Sequence, residues 1–398
     1  MMNILTYQGI PIWRHARAIQ WAAQIVSGIL VVFFVVWFFT NIYSAIHARN
    51  IPFGFSFLDR SYQTPIGQTF IPYDKSDTFL YALGVAVTNT IVVSIVGVIL
   101  ATLLGIVVGV ARLSNNWLVS KIATVYVEFF RNVPLLVQLF FWFYIVLALP
   151  RVRDGYVLLD SFYINNAGMS MPWPTPPNVG VGLMWLALAI ASVILGVVVY
   201  RILARRELLT GRASYPVIYG CGVAVAAGAA LWIIMMIASG QAPFVISVPA
   251  PEGRFGRISG GFTAPAGLLV LLVGLVIYTS SFIAEIVRAG IQSVGRGQTE
   301  AARALGLSPM MTLRQVTFPQ SLRVIIPPLI SQFLNLTKNS SLAGAIGYAD
   351  LTNVAKTMTQ TAPAVSIFII IMLAYLAMSL TYSLIGNLYN RHIRFVGA

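Results

Sequence analysis

Eight stretches of this chain are each about twenty mostly apolar residues long, the length an α-helix needs to cross roughly 30 Å of hydrocarbon. They centre on residues 19–40, 86–111, 122–149, 179–200, 215–239, 264–289, 322–345 and 362–388. A soluble fold cannot hide so many. Hydrophobic residues make up 58% of the sequence and charged residues 9%, against roughly 25% charged in an average soluble domain. Such a chain in water would expose apolar patches that soluble monomers avoid. The expected fold class is therefore all-α, a polytopic transmembrane bundle of about eight spans. The first stretch follows a polar N-terminal region and has spanning length, not the length of a cleaved signal peptide.

The net charge of +14 would point to nucleic acid in a soluble protein. Here the basic residues punctuate apolar runs, which is the pattern of topology control. With Arg14 and Arg17 inside, the inner loops collect 15 Lys and Arg residues, Arg201, Arg205, Arg206 and Arg212 among them. The outer side receives 8: Arg49, Arg60, Lys75, Arg151, Arg153, Arg254, Arg257 and Lys356. Most acids (Asp59, Asp74, Asp77, Asp154, Asp160, Glu252 and Asp350) also fall outside. Both termini are then expected in the cytoplasm. The outer connections are long and rich in turns. Residues 171–177, MPWPTPP, exclude a helix because repeated proline removes donors and fixes φ.

Several chemistries are missing. The sequence has no G-x-x-x-x-G-K-[ST] phosphate loop and no G-x-S-x-G nucleophile elbow. His15, His47 and His392 lie far apart, and Cys221 is the only cysteine, so neither a disulfide nor a metal or haem framework is expected. No catalytic residue, metal ligand or cofactor site is assigned. Such a chain is expected to form part of a transport pathway, and it has no phosphate loop with which to draw on ATP itself.

The most informative segment is an inner loop, 298–320, QTEAARALGLSPMMTLRQVTFPQ. Its punctuation predicts a helix, a break and a second helix. Thr299 is placed to cap the first, with Glu300 in the first turn where the helix dipole favours an acid, and Gly306 supplies a left-handed stop. Ser308 caps the second with Pro309 at its first position, and Pro319 is expected to end it.

This loop resembles the signature of bacterial ABC-importer permease subunits, E-A-A-x3-G-x9-I-x-L-P. Glu300, Ala301, Ala302, Gly306 and Pro319 match, and Val316 and Phe318 stand as apolar substitutes. Segments 126–138, 284–291 and 336–342 resemble the permeases of the polar amino-acid uptake group. The longer layout here resembles the general L-amino-acid permease subunits. The resemblance implies a type I importer core of five helices and a loop that docks into a groove on an ATP-binding subunit, with Glu300 engaging the ATPase and Gly306 permitting the turn. It also implies an ATP-binding subunit dimer that holds the ATP, a second permease subunit homologous to this one rather than identical, and a periplasmic amino-acid-binding protein. The chain divides accordingly into an extra N-terminal helix with its outer loop (1–85), a first core part (86–150), an insertion with two extra helices (151–262) and a second core part (263–398). An ion-coupled secondary amino-acid transporter is the main rival, and a structural or enzymatic subunit of another membrane complex the second.

Charges inside spans are costly, roughly 2.5–3.5 kcal/mol each on insertion scales, so they face a cavity or a partner. Glu128 and Arg131 stand three apart, close enough to pair, and Pro134 kinks or breaks the same span. With Gln138, Asn335 and Lys338 they form a candidate pathway for a zwitterionic substrate. The alternative is a structural ion pair, with Lys338 snorkelling outward. Glu285 and Arg288 are expected at the inner end, bracing the coupling loop. Gly105 and Gly109 form a small-xxx-small pair suited to close helix packing.

Overall fold

The computed structural model describes residues 6–7, 10–11, 16–177, 179–211, 213–252 and 257–393. Arg14, Arg212, Arg254 and Arg394 of the charge pattern lie outside the described residues. Twelve helices follow one another among them: α1 (Ala16–Ala48), α2 (Phe79–Ala111), α3 (Trp117–Asn132), α4 (Leu135–Leu147), α5 (Val179–Thr210), α6 (Pro216–Ser239), α7 (Ala266–Gln292), α8 (Arg296–Ala304), α9 (Pro309–Thr312), α10 (Phe318–Asn339), α11 (Leu351–Met358) and α12 (Ala364–Ile393). Short strands occupy the connections: β1 (Thr6–Tyr7), β2 (Ile10–Pro11), β3 (Tyr156–Leu158), β4 (Phe162–Asn165), β5 (Gly168–Met171), β6 (Trp173–Thr175), β7 (Val245–Ser247), β8 (Ala250–Glu252), β9 (Arg257–Ser259) and β10 (Phe262–Pro265).

Among the described residues, six helices are long and apolar enough to cross a membrane: α1, α2, α5, α6, α7 and α12. The α3–α4 pair raises the number to seven if it is one span. The sequence suggested about eight. The difference lies in α10, whose 22 residues reach about 33 Å but whose polar face lowers its hydropathy.

The 122–149 run, read from sequence as one span, is two helices bent by 105°. Pro134 is the cause. The residue before a proline is pushed out of the helical region, and Val133 is extended. Such a break frees backbone carbonyls that lipid cannot satisfy. Gln138 meets them: its Nε2 donates to the carbonyls of Phe130 and Val133, both at 2.9 Å.

The chain divides into two compact units. The first comprises Met1–Thr90 and Ala349–Ile385. Its core packs Phe57, Tyr62 and Phe79 against Leu351, Met358 and Ile367. Buried Asn89 donates to the carbonyls of Gln68 and Ala349, each at 2.8 Å, and the Thr90 hydroxyl accepts from the Leu351 N–H at 2.9 Å.

The second unit comprises Ile91–Tyr348 and Gly386–Ala398. Its centre is α7, against which α3, α4 and α10 pack. The part of α2 in this unit also packs on α7, at Gly105 and Gly109. A methyl on Gly105 would stand 2.6 Å from Ile283 Cβ, and one on Gly109 2.8 Å from the Ala284 carbonyl oxygen, so only glycine permits this approach. Between α4 and α7 lie an antiparallel sheet of order β10-β5-β4-β3 and the ribbons β6–β7 and β8–β9, with β10 leading straight into α7. Helices α5 and α6 pack mainly on each other.

Candidate functional site

The loop between α7 and α10 folds as helix, stop and helix. After α8 the backbone turns left-handed at Gly306, φ +77°. The Gly306 N–H donates to the Arg303 carbonyl at 2.9 Å and the Leu307 N–H to the Ala302 carbonyl at 3.1 Å. This pair of bonds is a Schellman closure, and an L-residue at Gly306 would strain it. Ser308 then caps α9, its hydroxyl accepting from the Met311 N–H at 3.3 Å, with Pro309 in the first turn.

Two expectations about this loop are corrected. Thr299 does not cap α8: the helix starts at Arg296, with Gly295 at the N-cap position, and the Thr299 hydroxyl donates back to the Arg296 carbonyl at 2.7 Å. Glu300 therefore sits in the body of α8, beyond its first turn. Glycines 295 and 297 are weak helix formers and hide this start in the sequence. Pro319 does not end the second helix either. A π-helical turn, Leu313–Thr317, joins α9 to α10, and Pro319 lies in the first turn of α10. Proline is tolerated there, and the wider turn realigns the carbonyls its missing N–H would have bonded.

The loop shows two faces. Ala302, Thr312 and Thr317 are buried. Glu300 and Ala301 are exposed, as are Leu305, 81% exposed, and Met310, 70% exposed. The projection that carries them is closed at Gly306 and tied across by Gln320 Nε2 donating to Gln298 Oε1 at 3.1 Å.

Above the loop, Glu285 on α7 is a hub. Its carboxylate takes Arg112 from the end of α2, Arg288 one turn on, and Arg131 of α3 at 3.8 Å. Arg288 passes the contact on to Gln292 Oε1 at 2.6 Å. Three helix ends thus meet on one acid. The expected Glu128–Arg131 pair is not formed: Arg131 turns to Glu285 and lies 5.2 Å over the Phe282 ring. Glu128 is exposed and has no ion pair among the described residues. Sequence reasoning missed Arg112 and Tyr126, whose hydroxyl meets Ser280 Oγ at 2.7 Å. The signal for Arg112 was present. Gly105 and Gly109 bring α2 against α7, and the next residue on that face, three further along, is Arg112.

On α10 the residues Ser331, Asn335 and Lys338 are all exposed. Spaced four and three apart, they form a single stripe, while Leu336 and Thr337 face inward. Gln138 is not part of that stripe; it is 4% exposed and closes the α3–α4 break. Helices of spanning length, a sheet between α4 and α7, a capped bihelical loop and a polar stripe on an amphipathic helix mark an integral membrane protein.

Residues 217–395 match the family profile described as binding-protein-dependent transport system inner membrane component. The chain is 41% identical over 401 residues to the putative amino-acid ABC transporter permease YhdX of Escherichia coli, covering 98% of each. It is 40% identical to the general L-amino acid transport system permease AapQ of Rhizobium johnstonii, over 94% of this chain and 92% of that one. It is 39% identical to the glutamate/glutamine/aspartate/asparagine transport system permease BztB of Rhodobacter capsulatus, over 93% and 92%. The chain belongs to this family of inner-membrane permease components of ABC importers. It is a multi-pass transport subunit, and ATP hydrolysis resides in a partner that works with a substrate-binding protein.

Proposed function

We propose that this permease imports amino acids, polar ones foremost, across the bacterial inner membrane by alternating access, with both termini in the cytoplasm. The observation that carries the reading is the exposure of Glu300, Leu305 and Met310 on the α8–α9 elbow, which is closed at Gly306. Closure of ATP-loaded partner subunits pushes on that elbow, and Gly306 and the π-helical turn pass the movement into α10. The chain itself binds no cofactor, since the ATP sits in the partner.

The cargo class follows the names of the relatives, which carry general L-amino acids or acidic amino acids and their amides. The Ser331, Asn335 and Lys338 stripe supports it. Lys338 offers a cation to a carboxylate, Asn335 a donor and acceptor, and Glu128 an acid for the ammonium group. Stronger contacts in one of the two access states supply the coupling free energy. An ATP-binding dimer presents two docking grooves, so a second permease fills the other. The insertion of α5, α6 and the outer sheet favours a homologous partner over a second copy.

Reconstitution tests the proposal. Proteoliposomes holding this chain, a homologous permease, the ATP-binding subunit and the binding protein should accumulate labelled amino acids only when ATP is supplied. Accumulation by this chain alone, driven by a Na⁺ or H⁺ gradient, would overturn it.

A further inference from the structure

Neither docking at the elbow nor the stripe on α10 explains the hairpin of α5 and α6. One end of the hairpin carries Trp185 with Trp232 and Phe244, at ring separations of 5.4 and 5.3 Å. Such aromatic clusters sit at the headgroup level of a bilayer. From Trp185 to Arg206 the helix rises about 32 Å, close to the thickness of the hydrocarbon. The arginine end therefore reaches the opposite headgroup layer. α6 crosses back and α7 crosses again to the α8–α9 elbow, so the arginines lie on the same side of the membrane as the elbow.

At this end a groove of about 740 Å³ opens between α5 and α6. Val199, Leu203, Arg206 and Thr210 line it from α5 at helical spacing, and Tyr219 and Val223 from α6. The lining changes along its length. Towards the bilayer it is aliphatic, and at the surface it is a guanidinium with hydroxyls. Arg205 and Arg206 are exposed and make no ion pair among the described residues, where the ion pairs are all on Glu285. The nearby acid, Glu207, accepts from the Ser214 N–H at 3.4 Å. Cationic charge at headgroup height above an acyl-wide slot is complementary to one kind of molecule.

We propose that this groove binds an anionic phospholipid, with its phosphate on Arg206, its headgroup flanked by Arg205, and an acyl chain along Val199, Leu203 and Val223. The site is independent of the coupling role of the elbow. It gives the inserted hairpin a function, which is to fix the peripheral edge of the permease to the charged leaflet.

The test uses the full chain purified with its co-isolating subunits, stripped of lipid in detergent and titrated with phosphatidylglycerol or phosphatidylcholine under native mass spectrometry. Phosphatidylglycerol should add to this subunit in preference to phosphatidylcholine. Arg206→Gln should weaken that addition about fivefold, the effect of one basic residue at a charged leaflet, and Arg206→Lys should largely restore it. Leu203→Trp, which fills the slot and keeps the charge, should also weaken it. The outer pair Arg151→Gln with Arg153→Gln should leave it intact. Unchanged phosphatidylglycerol binding in both Arg206→Gln and Leu203→Trp overturns the proposal. An equal loss in the outer pair does so too, by showing diffuse charge. A third contrary result is loss of the ATP-binding subunit from Arg206→Gln with lipid binding unaltered, which would make the arginine end a protein contact.

Discussion

Helix α7 and the hairpin α5–α6 are all apolar enough to span, yet the protein uses them in opposite ways. Over half of the most apolar window of α7, 56%, is buried inside the protein, against 17% for α5 and 6% for α6. α7 carries its polar groups inward, where Ser280 and Ser281 are fully buried and Glu285 gathers three arginines. The hairpin keeps its charges at its ends. Hydropathy sorts segments into membrane or water. What decides whether a span belongs to the machinery is the polar group it carries partway through, because only a protein neighbour or a cavity offsets its cost in lipid.

That contrast can be broken most directly at the elbow fed by α7. Glu300→Arg reverses a charge on the proposed docking face, and loss of a paired interface charge costs about 2–5 kcal/mol. Uptake and substrate-stimulated ATP turnover should fall to background while the chain still inserts. The same reversal on the hairpin, Glu207→Arg, should leave both rates unchanged. If the two variants behave alike in uptake and ATPase assays, the distinction between machinery and periphery fails.

Glu285→Gln comes next. It leaves Arg112 and Arg288 with a neutral acceptor, and hydrogen bonds to charged groups are worth about 1.5–3 kcal/mol. The melting temperature of the purified complex should drop. In a cycle with Arg112→Gln the two losses should be less than additive, since both variants remove one contact. Strict additivity would show that the hub does not tie α2 to α7.

Lys338→Ala should lower uptake about tenfold, roughly 1.4 kcal/mol, with basal ATP turnover retained. Lys356→Ala, on exposed α11 surface, should change neither. The smallest effect concerns pH. Asp350 lies at the N-cap of α11, outside the spans, and burial pushes its carboxyl up to about 6 in spite of hydrogen bonds from Asn353, Thr352 and Tyr375. The folded protein then holds this proton to higher pH than the unfolded chain, whose value is near 3.8. The stability tied to the proton is complete below about pH 4 and is lost as pH rises through 6. Asp350→Asn should flatten the melting profile across that window; an unaltered profile would place the titration elsewhere.

Local rules were legible in the sequence, and distant partners were not. The apolar runs, the left-handed stop at Gly306 and the Ser308–Pro309 cap each depend on neighbours within a few residues, and each appears where those neighbours put it. The start of α8 and the fate of Pro319 escaped for a related reason. Two glycines masked one, and the π-helical turn that absorbs the other has no composition of its own. Arg112 and Glu285 are 173 residues apart, so no window of sequence pairs them. Arg131 stood near an acid, Glu128, and the fold supplied a better one.

The most direct measurement is a crosslink from the elbow. With Cys221→Ser removing the only native thiol, single cysteines at Leu305 and Met310, coupled to a short bifunctional reagent in native membranes, should capture the ATP-binding subunit, with yields that change when ATP is added. Both positions should do so while a cysteine at Leu208, equally exposed at the hairpin tip, does not. Capture from Leu208 but from neither elbow position, or no nucleotide-binding protein at all, would contradict the account.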